Sequence, residues 1–124
     1  MSDVREKPVI LVVEDEILLR MNAIDMIEAE GFEVLEATDA DEAIHILETR
    51  PDVRLMFTDI QLGGSMDGLK LAKAVRDRWP PVKIVATSGQ VNVQNTDLPD
   101  GGRFLPKPYS SSQIATTLRE LMAS

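Results

Sequence analysis

Five short apolar runs punctuate the chain, at Val9–Val13, Glu33–Ala37, Leu55–Thr58, Lys83–Thr87 and Arg103–Leu105. They have strand length and many branched residues, and the segments between them are mostly long enough for a helix. Strands alternating with helices form a parallel sheet, because each crossover carries the chain back along the sheet and its helix then covers one face. The pattern predicts a doubly wound α/β domain with a five-stranded parallel sheet and helices on both faces.

The helix signals differ in strength. "DADEAIHILETRP" offers Asp39 as N-cap with Glu42 three residues on, apolar Ala43, Ile44 and Leu47, and a stop at Pro51. "SSSQIATTLRELM" sets Ser110 three residues before Gln113 and spaces Ile114, Leu118 and Leu121 along one face. Another helix is expected from Leu69 to Arg78, after a glycine and before "WPP", with Trp79 as a plug at its end. In the first helix Leu19, Ala23, Met26 and Ile27 can face the sheet, which leaves Leu18, Met21 and Ile24 on other sides, some of them exposed. Met21, Met26 and Met56 also read as packing residues. Between the fourth and fifth strands, "GQVNVQNTDLPDGG" is poor in helix formers, so the fourth helix is expected to be short, irregular or missing.

Composition narrows the class. The 124 residues suit a single domain over 1–124 with a buried core. No apolar run approaches the roughly 18 to 20 residues that span a bilayer, the N-terminus "MSDVREKP" carries no signal-peptide segment, and cysteine is absent, so a cytoplasmic protein is expected. Thirteen basic against twenty-one acidic residues give a net charge of -8, which repels a nucleic-acid backbone. Neither membrane nor nucleic acid is an expected partner.

In open α/β sheets, ligands bind beyond the carboxyl ends of the strands. Here strand one delivers Glu14 and Asp15, strand three Asp59, strand four Thr87 and Ser88, and strand five Lys107. Three carboxylates held together repel one another unless a cation is present. Oxygen-only ligands suit Mg²⁺, which takes one or two carboxylates, keeps several waters and leaves a position for a phosphate oxygen. A carboxylate can attack phosphorus itself, with metal and ammonium neutralising charge on the equatorial oxygens.

The set "VEDE", "FTDIQL", "MDG", "ATSG" and "PKPY", in this order over essentially the whole chain, resembles the receiver domain of two-component response regulators. The resemblance implies a flavodoxin-like strand order 2-1-3-4-5 and a signalling domain with at most slow hydrolysis of its own aspartyl phosphate. It makes Asp59 the phosphoacceptor, Asp15 a direct Mg²⁺ ligand, Glu14 its partner acting through water, and the backbone carbonyl of Gln61 the remaining protein ligand. Ser88 becomes the switch hydroxyl, with Thr87 one residue early and pointing the other way. Lys107 pairs with a phosphoryl oxygen, the Lys107-Pro108 bond is expected to be cis, and Phe104 matches the aromatic position that moves inward on activation. The implied phosphodonor is a sensor histidine kinase or a histidine phosphotransfer protein that docks on the first helix, where Leu18 and Met21 are expected to influence its choice. The output is a changed face near Tyr109 read by a downstream protein target, the domain itself being a monomer or weak dimer.

The chain also departs from the family. Gly63 stands where a proline is usual, and Asp67 and Gly68 come one step late, so the loop after Asp59 has gained a residue and is expected to be looser. Gln61 and Gln90 hold the positions that tune phosphoryl lifetime, and neither is an acid or base. Plainer readings remain: Glu16 as a first-turn acid, His45 as a surface residue, and the whole as a phosphorylation-independent interaction domain. A flavodoxin-like cofactor binder would need a Ser/Thr/Gly-rich loop after strand one, which here is acidic, and a metal-dependent phosphatase an acid where Gln61 stands.

Overall fold

A computed structural model describes residues 7–64, 66–89 and 98–123. The order of elements is β1 (Val9–Val13), α1 (Ile17–Ala29), β2 (Glu33–Ala37), α2 (Ala40–Thr49), β3 (Val53–Asp59), α3 (Gly68–Arg78), β4 (Lys83–Ser88), β5 (Arg103–Pro106) and α4 (Ser111–Met122). The strands form one parallel sheet in the order β2-β1-β3-β4-β5, the doubly wound arrangement expected. The weak segment after the fourth strand falls largely on residues 90–97, outside the described residues.

Side-chain alternation along the central strands splits the core into two layers. Ile10 and Val12 of β1, with Leu55, Phe57 and Val85, pack under α1 and α4 against Ala23, Ile27, Ile114, Leu118 and Leu121. Val9, Leu11 and Val13, with Met56 and Ile84, pack against α2 and α3 through Ala43, Leu47, Leu71 and Val75. Val53 joins this second layer although it has the same parity as Leu55, because the β1–β3 register slips one residue at Arg54: Val9 pairs with Val53 and Ile10 with Leu55. That slip hides the first two residues of β3 from an alternating pattern, so the strand begins earlier than its expected start at Leu55.

The caps are those expected. Asp39 accepts from the Glu42 amide at 2.8 Å, and Ser110 and Gln113 form a reciprocal capping box. Each such cap contributes on the order of 1 kcal/mol. One boundary moves: α3 begins at Gly68 rather than Leu69, because Asp67 is its N-cap and accepts from the Lys70 amide at 2.9 Å. In α1, Ala23 and Ile27 are buried, Leu19 and Met26 half-buried, and Leu18 and Met21 exposed. Ile24 is not exposed but packs on the core, and of the three methionines read as packing residues only Met26 and Met56 pack. Trp79 caps α3 and packs on the second layer, and His45 is exposed. Among the described residues no helix is long and apolar enough to cross a membrane.

Candidate functional site

Strands β3, β4 and β5 each run one residue beyond their expected ends, to Asp59, Ser88 and Pro106. The ladder holds these polar ends: Asp59 pairs with Thr87 and Ser88 with Pro106, and the Lys107 amide donates to the Ser88 carbonyl at 2.9 Å. Asp59, Ser88 and Lys107 are therefore fixed by sheet hydrogen bonds, which position side chains more tightly than a free loop.

Glu14, Asp15 and Asp59 each bring a carboxylate oxygen within 4.8 Å of the others. Glu14 and Asp59 are buried, and Lys107 Nζ lies between them, 3.3 Å from Glu14 Oε1 and 3.2 Å from Asp59 Oδ2. Backbone donors supply further bonds, the Glu16 amide to Glu14 Oε2 and the Gln61 amide to Asp59 Oδ1, both at 3.2 Å. Asp15 is exposed and accepts from the Gly63 amide at 3.3 Å. Burial, and then the charge of Asp59, push the Glu14 carboxyl above its ordinary range, against the Glu16 amide and Lys107, which pull it down. Three close hard oxygen donors, two of them buried beside a single bridging ammonium, suit a small divalent cation.

Glycine is required beside Asp59. A Cβ on Gly68 would lie 2.1 Å from the Asp59 carbonyl oxygen and 2.6 Å from Ile60 Cα, so α3 starts hard against the end of β3. The Gly68 amide donates to the Ile60 carbonyl at 2.8 Å.

Tyr109 follows the cis Lys107-Pro108 bond and meets Phe57 edge to face, ring centroids 5.7 Å apart. With Leu19, Asn22, Lys107 and Pro108 it lines a pocket of about 330 Å³ beside the carboxylates. Burial, reinforced by the charges of Glu14 and Asp59, pushes its phenol up to about 12. It is the sole tyrosine, so tyrosinate absorbance is expected to stay small in the native protein near pH 11 and to appear on unfolding in urea at that pH. A folded-state phenol raised above its unfolded value makes stability fall as pH rises from about 10 to about 12. Native titration near pH 10 would contradict this placement.

Phe104 is half-buried and packs with Ile60, Ala86, Leu98 and Leu69 in a third small cluster, separate from the one that holds Phe57 and Tyr109. Ser88 and Thr87 are both buried. Leu18 and Met21 stand exposed at 71% and 54%, joined by Ile17 at 59%, which sequence reasoning passed over. Arg20 was missed too. Its guanidinium donates to the Glu14 carbonyl at 3.0 Å and to Glu36 at 2.8 Å, tying the acidic turn to β2. Its place four residues after Glu16 suggests only a surface helix pair. Glu16 is the N-cap of α1 rather than a first-turn acid, and its side chain makes no cap bond.

Comparisons with known proteins agree with this arrangement. A family model described as the response regulator receiver domain matches residues 10–119. The chain is 32% identical over 125 residues to the sensor kinase CckA of Brucella abortus (strain 2308), covering 98% of this chain and 13% of that protein. It is 31% identical over 121 residues to the aerobic respiration control protein ArcA of Escherichia coli (strain K12), covering 95% of this chain and 50% of that one. The chain thus spans half or less of these curated relatives. A crystal structure of a response regulator receiver protein from Sinorhizobium medicae WSM419 superposes with a TM-score of 0.88 at 26% identity, covering 96% of this chain and 97% of that one.

Proposed function

The chain belongs to the response regulator receiver domain family, and on that premise we propose that Asp59 accepts a phosphoryl group from a phosphohistidine of a sensor kinase or phosphotransfer protein, changing the domain's affinity for another protein. The observation that carries this reading is the bridge from Lys107 Nζ to both buried carboxylates, 3.2 Å from Asp59 and 3.3 Å from Glu14.

A carboxylate oxygen of Asp59 forms the new bond to phosphorus while the phosphorus–nitrogen bond breaks and its electron pair stays on the donor imidazole. Lys107 is held by its backbone to β4 and turns from the Asp59 carboxylate to a phosphoryl oxygen as charge builds there. The Gln61 amide, on Asp59 Oδ1, keeps the carboxylate oriented toward the mouth. Asp15 and Asp59, with the Gln61 carbonyl and with Glu14 through water, are the groups that would hold Mg²⁺. When bound, the ion supplies neutralisation of the phosphoryl oxygens. Ser88 and Phe104 would carry the event outward, as a hydroxyl on the phosphoryl group and an aromatic side chain repacking against Ile60 and Leu98.

The test is incubation with Mg²⁺ and acetyl phosphate followed by intact-mass measurement. A gain of one phosphoryl group, abolished by a chelator, supports the reading. No gain favours an interaction domain that works without phosphorylation.

Ile17, Leu18 and Met21 make an exposed apolar group on α1, the helix that also contributes Leu19 and Asn22 to the pocket at Lys107. A phosphodonor helix lying against α1 would meet these side chains, and apolar exposure there suits a partner. Met21→Glu is expected to slow transfer from the cognate donor about tenfold, the loss of one apolar anchor, and to leave phosphorylation by acetyl phosphate unchanged. Equal slowing with both donors would place Met21 in the chemistry instead.

A further inference from the structure

Asp15 is held differently from its two neighbours. Glu14 and Asp59 are buried and bridged by Lys107, whereas Asp15 is exposed, and its Oδ2 accepts from the Gly63 amide, 48 residues away on the β3–α3 loop, at 3.3 Å. We propose that Gly63 is a positioning residue whose backbone N–H latches the Asp15 carboxylate in its cation-binding orientation. The proposal rests on the reading of the carboxylate cluster as a Mg²⁺ site.

The physical need for a latch follows from charge. An exposed aspartate beside two other carboxylates is driven by repulsion toward rotamers that face water. One amide donor opposes that drift, and the carboxylate keeps lone pairs on both oxygens for a ligand. Donors that orient a metal's ligands in this way commonly govern affinity. The loop is shaped to present the donor: Gly64 adopts φ +97, a left-handed turn that glycine makes without strain, directly after the amide that reaches Asp15. The freedom of Gly64 is thus used directly beside the amide that bonds Asp15.

The position allows a clean separation of backbone from side chain. Gly63 is not in the left-handed region, and a Cβ there would meet Asp15 Oδ2 at 3.7 Å, an ordinary contact. Gly63→Ala thus keeps the donor, and Gly63→Pro removes it. Mg²⁺ affinity is read from ¹H–¹⁵N spectra, following the amides of Glu16 and Gln61, which donate to Glu14 and Asp59. The expected result is a dissociation constant about five- to tenfold weaker in Gly63→Pro, within about twofold of wild type in Gly63→Ala, and equal urea midpoints without Mg²⁺. Should the proline variant not fold, hydrogen exchange decides: the Gly63 amide of the ion-free protein should exchange several-fold faster in Asp15→Ala than in wild type. Unchanged or tighter binding in Gly63→Pro, equal weakening in both variants, or unaltered exchange in Asp15→Ala overturns the latch alone. Absence of any saturable Mg²⁺ response in the wild type overturns the metal site and the latch with it.

Discussion

Asp59→Asn is expected to abolish phosphoryl uptake and at the same time to make the fold more stable. The first effect is chemical, since an asparagine amide offers no carboxylate nucleophile. The second is electrostatic. Glu14 and Asp59 are each only 5% exposed and share Lys107, so the cluster holds more negative than positive charge in a poorly solvated place. Asparagine can still accept from the Gln61 amide and from Lys107, and it leaves Glu14 and Lys107 as a matched pair. The expected gain is about 1 kcal/mol in urea unfolding at neutral pH without Mg²⁺.

A pH dependence accompanies this gain. Burial and the Asp59 charge raise the Glu14 carboxyl in the folded state, so its stabilising contribution is complete below the ordinary glutamate range. It is lost as pH rises from there through the raised folded value. Without the Asp59 charge that loss shrinks. A mutant less stable than wild type by 1 kcal/mol or more at neutral pH would show that the Lys107 bridge outweighs carboxylate repulsion.

Gly68→Ala carries the largest expected loss of stability. Intrinsic propensity favours alanine over glycine in a helix by about 1 kcal/mol, so helix composition alone points to stabilisation. The structure reverses the sign: the new Cβ would sit 2.1 Å from the Asp59 carbonyl oxygen, 2.6 Å from Ile60 Cα and 2.9 Å from the Asp59 carbonyl carbon. All three are backbone atoms of the strand end and its first loop residue, with no flexible side chain to yield. Relief requires moving α3 off β3, breaking the Gly68 amide bond to Ile60 and displacing Asp59 from Lys107. A loss of about 3 kcal/mol or more is expected in urea unfolding, together with loss of acetyl phosphate-driven mass gain in the folded fraction. Wild-type stability in this variant would mean that the close approach is not kept in solution.

Much of the fold was legible because its signals are local. The runs at Val9–Val13 and Lys83–Thr87 are apolar on both faces, which only a strand covered by helices on both sides requires. The caps at Asp39 and Ser110 are set by residues three positions apart. Boundaries slipped where the determinant was distant. Val53 pairs with Val9 across a register shift, and Ser88 and Pro106 are strand residues because they pair with each other. Ile24 packs on the core although the helical pattern set it off the sheet-facing side, since α1 has apolar residues on several sides and its neighbours choose among them.

For the site, the amino-acid sequence by itself determined which chemical groups end each strand, Glu14, Asp15, Asp59, Ser88 and Lys107, because strand ends and their order follow from local pattern and chain direction. Tertiary structure alone decided how those groups are held: Lys107 between two buried acids, Arg20 on the Glu14 carbonyl, Gly63 on Asp15, and Gly68 against Asp59. Each of these is a contact of a few ångströms set by sheet register and loop course, whether its partners stand 48 residues apart, as Gly63 and Asp15 do, or only six, as Arg20 and Glu14 do. Residue type can name a carboxylate, but its burial, its donors and its charge depend on neighbours that only folding supplies.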